Sequence, residues 1–241
     1  MSDRDKLKGR VIAIAGAGGG LGPVVAKRLA ADGASLALTD VRQEALDPVV
    51  EELGLPEERI DARVVDLLDE QAASGWAADL QEKFGRIDGL VHLVGGWRGG
   101  EPIETASLED YEWLHDLLVR TVQRASRAFY GPLTESGHGC FILISSSQAQ
   151  APEGTNAAYA AAKAAAESWT MALADAFAKD EGGATANIIV VNAILTPAMR
   201  EKNPDKEYPS FTSTEDIAEA CAFLCSDSGA RMNGKRLPLH P

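Results

Sequence analysis

Four short runs, VIAIA at 11–15, GLVHLV at 89–94, FILI at 141–144 and NIIVV at 187–191, show no regular polar alternation, and longer stretches of helical spacing separate them. A strand that is apolar on both sides must be covered on both faces, and strands joined by helical crossovers pair in parallel. The rest of the chain keeps the same rhythm. Strands are expected at 10–15, 35–40, 60–66, 87–94, 140–145, 186–191 and 236–239, and helices at 21–32, 44–53, 70–84, 108–130, 157–179 and 214–225. The pattern predicts an α/β fold: a doubly wound parallel sheet of about seven strands with helices on both faces and ligands at the strands' carboxyl ends. Nothing in it suggests a linker, so positions 1–241 read as a single domain.

Composition narrows the function. Apolar residues make up 45% and charged residues 24%, which is ordinary globular usage. The net charge of -13 disfavours nucleic acid and anionic membranes as partners. The charged start MSDRDKLKGR lacks the apolar core of a signal peptide, and no run approaches the roughly 20 apolar residues of a membrane span, so a cytoplasmic protein is expected. Cys140, Cys221 and Cys225 form no CxxC pair and read as reduced, buried thiols; Cys221 and Cys225 could share a helix face around a metal, but packing explains them better. His92, His115, His138 and His240 are scattered, and no metal is expected. Trp113 and Trp169 lie on expected helices as core or interface residues.

The chemistry gathers at three places. After the first strand comes Gly16-Ala17-Gly18-Gly19-Gly20-Leu21-Gly22, which misses the strict GxGxxG spacing but sets Gly16, Gly20 and Gly22 between a strand and a helix. There, backbone N–H groups and the helix dipole can receive a pyrophosphate, as in a Rossmann-type domain. Asp40, about 20 residues on at a strand end, can accept hydrogen bonds from ribose hydroxyls and would repel a 2′-phosphate. That favours NAD(H) over NADP(H), although Arg42 leaves room for dual use. Asp66 could bond an adenine amino group. Further along, Tyr159 and Lys163 are spaced i,i+4 on a helix, so an ammonium can sit near a phenol and favour its ionisation. Ser146, 13 residues upstream at a strand end, can bond a substrate oxygen.

With these motifs in order, the chain resembles the short-chain dehydrogenase/reductases from Lys8 to Leu239. The family's TGxxxGxG corresponds to positions 15–22, its catalytic serine to Ser146 and its YxxxK to Tyr159 and Lys163. The resemblance implies catalysis by Ser146, Tyr159 and Lys163. It also implies cofactor contacts at Gly16, Gly20, Leu21, Gly22, Asp40, Asp66, Leu67, Gly95, Tyr159, Lys163 and Thr196, the last beside the nicotinamide carboxamide. A substrate loop is expected at about 196–213. By the same analogy, the helices that begin near Leu108 and Ala157 pack against another subunit, giving a homodimer or homotetramer.

Departures from the family pattern matter as much. Its NNAG reads His92-Leu93-Val94-Gly95, its helix asparagine, which helps anchor a proton-relay water, aligns with Leu118, and its PG pair is Val191-Asn192. The chain also stops at Pro241, where many members continue with a glycine-rich tail. The stretches 95–100 (GGWRGG) and 196–204 look like dihydropteridine reductase, which prefers NADH. Trp97 could stack on a flat substrate or simply pack its loop. The main expectation is hydride transfer between NAD(H) and a small carbonyl or alcohol, with Tyr159 as general acid or base, and Ser146 and Trp97 touching the substrate. Two rivals stand beside it: reduction of a flat pterin or quinone, and a cofactor-binding regulator or scaffold with little catalysis.

Overall fold

The computed structural model describes residues 6–240; the first five residues of the charged start, and Pro241, lie outside the described residues. The alternation is realised as β1 (Val11–Ala15), α1 (Gly22–Ala31), β2 (Ser35–Asp40), α2 (Gln43–Leu53), β3 (Ile60–Val64), α3 (Glu70–Phe84) and β4 (Gly89–His92). There follow α4 (Leu108–His115), α5 (Thr121–Glu135), β5 (Cys140–Ser146), α6 (Ala157–Lys179), β6 (Thr185–Val191), β7 (Ala193–Leu195), α7 (Pro197–Lys202), β8 (Phe211–Ser213), α8 (Thr214–Leu224) and β9 (Arg236–Pro238). Seven strands pair in the order β3-β2-β1-β4-β5-β6-β9, all parallel.

Both faces are covered, as unbroken apolar strands require. Ile12 and Ile14 of β1 enter one core layer with Val25 and Leu29 of α1 and Ile217 and Cys221 of α8. Ala13 and Ala15, on the opposite face, join Trp76 and Leu80 of α3, Phe129 of α5 and Phe177 of α6. The three cysteines are buried and free, as their reading as core thiols anticipates.

Four details depart from expectation. The helix expected at 108–130 is broken by one turn of π-helix at Asp116–Arg120, which holds Leu118, and α5 runs on to Glu135. β3 stops at Val64, so Asp66 lies in the following turn rather than at a strand end. β4 is shorter than 87–94; Leu93 N still donates to the Ala15 carbonyl at 2.8 Å, and from Val94 the backbone turns away to build the crevice wall. The stretch expected as a short substrate loop at about 196–213 contains α7 and β8, and β8 pairs in parallel with β7 as a small separate ribbon. Strand order reverses between β1 and β4, and a parallel sheet opens a crevice above its carboxyl ends at such a reversal.

Candidate active site

Two adjoining cavities, of roughly 530 and 280 Å³, fill this crevice and share Gly16, Gly19, Leu93, Val94 and Gly95. The glycine turn forms their floor. Gly16 sits at φ +80°, and a Cβ there would stand 2.9 Å from the backbone nitrogen of Val94. Gly16 N and Ala17 N both donate to the Thr39 carbonyl at 2.9 Å, which ties the turn to β2. A Cβ at Gly20 would meet the Thr196 methyl at 2.9 Å. Leu21, at the head of α1, supplies no capping oxygen; Gly22 N donates to the Gly19 carbonyl and Pro23 carries no N–H, so Val24 N, with Gly20 N and Leu21 N of the turn, is what the cradle offers an anion. The cradle therefore suits the pyrophosphate of a dinucleotide.

The smaller cavity is lined by Asp40, Arg42, Asp66, Leu67 and Leu68. Asp40 Oδ2 accepts from Gly18 N at 3.2 Å and Oδ1 from Val41 N at 2.9 Å, so the carboxylate is held at the glycine turn. Asp66 Oδ1 accepts from Leu68 N at 2.8 Å and shapes its own loop. The Leu67 side chain is buried in the core beneath, leaving its backbone as the part open to a ligand.

The larger cavity brings Ser146, Tyr159, Lys163, Gly95, Trp97 and Thr196 together. Ser146 is delivered by the end of β5, and its Oγ accepts from Gln148 N at 3.3 Å. Lys163, one turn along α6 from Tyr159, is buried and donates from Nζ to the Ile144 carbonyl at 2.9 Å. Its Nζ stands 5.8 Å from the centroid of the Tyr159 ring. Burial pushes the Tyr159 hydroxyl above its usual range, and only Ser146 pulls it down. Burial also lowers Lys163 to about 8, against an upward pull from Glu167 one turn further on. A phenol held protonated at neutral pH is suited to giving a proton away.

Thr196 caps α7, its Oγ1 accepting from Met199 N at 3.3 Å, while its methyl touches the glycine turn. Trp97 is 58% exposed at the mouth of the larger cavity. Its loop is braced by Arg98, whose guanidinium lies 4.0 Å from the Trp113 ring centroid and pairs with Asp110 at 2.8 Å. Leu118 on the π-turn packs with Leu114, Val119 and Ala162. Sequence reasoning missed Ile144, Gln148, Asn192 and Ile194, which also line the crevice. No motif marks them: Ile144 is one more apolar residue of β5, and the other three arrive through turns and the β7 ribbon. Gly96 was read only as part of a resemblance; a Cβ there would strike the Trp113 ring at 2.7 Å.

A protein-family model described as Enoyl-(Acyl carrier protein) reductase matches residues 16–239. The chain belongs to the short-chain dehydrogenase/reductase family. Among its relatives in this family of oxidoreductases, the 7alpha-hydroxysteroid dehydrogenase of Escherichia coli K12 is 30% identical over 245 aligned residues, covering 98% of this chain and 94% of that protein. The crystal structure of a levodione reductase superposes with a TM-score of 0.85 at 28% identity, covering 97% of each chain. A short-chain dehydrogenase from Burkholderia cenocepacia J2315, solved in complex with NADP, gives 0.83 at 29% identity, again over 97% of each. The fold described above is thus shared with these two solved structures. Among the described residues, no helix is long and apolar enough to cross a membrane.

Proposed function

We propose that this chain is an NAD(H)-dependent dehydrogenase/reductase acting on a small, uncharged carbonyl or alcohol, with Tyr159 as the proton donor or acceptor. The convergence of Ser146, Tyr159 and Lys163 on one crevice beside the glycine cradle carries this reading. Gly16, Gly20, Leu21 and Gly22 would hold the pyrophosphate, Asp40 the adenosine ribose, Asp66 and Leu67 the adenine end, and Gly95 and Thr196 the nicotinamide. The nicotinamide supplies or accepts the hydride. In the reductive direction Tyr159 O–H passes its proton to the substrate oxygen as the carbonyl carbon takes up the hydride, and Ser146 Oγ holds that oxygen in place. Lys163 then stabilises the phenolate left behind.

Asp40 supports NAD(H), since a 2′-phosphate beside it would face a negative charge. Among the described residues, Lys163 is the only charged side chain lining the larger cavity, and it is tied to the Ile144 carbonyl, which supports an uncharged substrate. Trp97 at the mouth favours a flat one, so a pterin or quinone stays within this reading as a second substrate class. Pairing of copies through α5 and α6, where Arg127, Tyr130, Trp169 and Leu173 line an open groove, and a cytoplasmic setting belong to the same proposal.

The test is NADH and NADPH oxidation against a panel of ketones, quinones and quinonoid dihydropterins, with wild type and Tyr159→Phe in parallel. Tyr159→Phe is expected to bind NADH normally and to lose turnover by a factor on the order of a hundred or more. Equal turnover in the variant removes Tyr159 from the mechanism. Tight NADH binding with no turnover on any compound supports the regulator reading instead.

A further inference from the structure

His92 ends β4, and Ser145 is the next-to-last residue of β5. Strand alternation sets both side chains on the face that carries Leu90, Phe141 and Leu143, beneath α5 and α6. Both residues are 1% exposed, and among the described residues neither ring nitrogen of His92 nor Ser145 Oγ has a partner at hydrogen-bond geometry, although the Thr121 backbone lies close enough to pull the His92 ring upwards. Lys163 reaches the same layer from α6. Its ammonium has three N–H donors, and among the described residues the one acceptor that engages it is the Ile144 carbonyl. The register pairs His92 with Leu143, two residues before Ser145, and the Ile144 carbonyl that holds Lys163 Nζ lies between them, so the three side chains meet at one point of the sheet; the downward pull of the Lys163 charge on the His92 ring agrees with that placement. Leu118, on the π-turn, adds only hydrocarbon from the helix side.

Leaving a buried polar group unpaired costs about 1–3 kcal/mol. Here three such atoms lie in one layer beside an under-bonded ammonium. An internal water typically makes about three hydrogen bonds and would serve them together. We propose that His92 and Ser145 bind an ordered water that hydrogen-bonds Lys163 Nζ, making His92 a positioning residue for the lysine behind Tyr159. The water site itself stands on burial and geometry, while its bearing on turnover rests on the functional reading above. In that role the neutral imidazole donates from one nitrogen or accepts at the other, and the ammonium is restrained from two sides rather than one.

Two arms test this. A crystal structure of the wild-type protein, refined to a resolution that reveals internal waters, is expected to show a peak within hydrogen-bond distance of both a His92 ring nitrogen and Lys163 Nζ. In steady-state kinetics, His92→Leu is expected to lower kcat on the order of ten-fold or more while KM and the NADH dissociation constant change by no more than about two-fold. The pH at which kcat falls on the alkaline side should also move. His92→Asn keeps a polar side chain that can hold the water and should recover most of the loss; a purely packing role would not distinguish the two variants in this way. An empty layer in a well-ordered crystal overturns the proposal, as does a His92→Leu enzyme with wild-type kcat and pH profile. If the wild type shows no Tyr159-dependent turnover on any substrate, the functional reading fails instead, and the crystal arm alone decides the water site.

Discussion

Gly22→Ala tests whether the turn that opens α1 is the cofactor cradle. A Cβ at this position would lie 2.1 Å from the Ala17 carbonyl oxygen and 2.5 Å from its carbon, whereas real Cβ contacts essentially never fall below 3.0 Å. Relief requires the oxygen and the new methyl to move from 2.1 Å to beyond 3.0 Å, and both neighbours are backbone. The bonds at risk are Gly22 N to the Gly19 carbonyl at 3.1 Å and Gly19 N to the Gly16 carbonyl at 3.2 Å. At about 0.5–1.5 kcal/mol each, their loss amounts to about 1–3 kcal/mol. For a chain of this length each kcal/mol shifts Tm by about 2–4 °C, so a fall of roughly 2–12 °C is expected in differential scanning calorimetry. Because the helix N-terminus moves with the turn, NADH affinity measured by fluorescence titration should drop on the order of ten-fold or more. Gly75→Ala on exposed α3, where an added Cβ meets nothing within 4 Å, is the control and should gain up to about 1 kcal/mol. A Gly22→Ala protein with unchanged Tm and NADH affinity would refute the assignment of this turn.

Asp40→Asn removes the charge at the ribose position, and the ratio of kcat/KM for NADH over NADPH should fall on the order of ten-fold; an unchanged ratio means that selectivity lies elsewhere. Burial, with the nearby Lys163 charge, lowers His92 to about 3, so the folded protein keeps this ring neutral while the unfolded chain binds a proton near pH 6.5. Its contribution to stability is therefore complete above about pH 6.5 and is lost progressively as pH falls towards 3. Melting temperatures from pH 7 to pH 4 should decline less steeply for His92→Asn, and parallel curves would refute this. Lys163, lowered to about 8, loses its proton as pH rises through that value, so kcat for carbonyl reduction should fall there. Glu167 holds the lysine up, so Glu167→Gln should move that fall to lower pH; no displacement would show that another group titrates.

How much of the fold was legible depended on whether an element announces its own ends. α3 was read to the residue because Asp69 caps it, accepting from Gln71 N and Ala72 N, and Gly85 ends it at φ +73°. The π-turn at 116–120 left no trace, since apolar residues recur through 108–130 with a spacing that a continuous helix satisfies equally well. The β7–β8 ribbon escaped for another reason: each strand has three residues, too few for any period to be counted. Asp66 was misplaced by two residues because an aspartate ends a strand and starts a turn with equal ease.

The same distinction runs through the active site. That Tyr159 and Lys163 share a helix face follows from a spacing of four, and the sequence carries that information within a single turn. Which way the lysine turns does not follow, because a buried ammonium goes where acceptors are, and the acceptor is the Ile144 carbonyl on a strand 19 residues away. The sequence-based expectation of a lysine acidifying its tyrosine therefore assumed an orientation that only the packing of α6 against β5 could decide. In the geometry found, burial favours the protonated form of the resting Tyr159 phenol and Lys163 is tied to the sheet, so on the proposed mechanism acidification of the phenol is a property to be sought once phenolate forms rather than in the resting site. The prediction separating the two views is spectroscopic: difference absorbance of wild type minus Tyr159→Phe should place the resting phenol above its ordinary pKa of about 10, and a phenolate signal near neutral pH would restore the simpler picture.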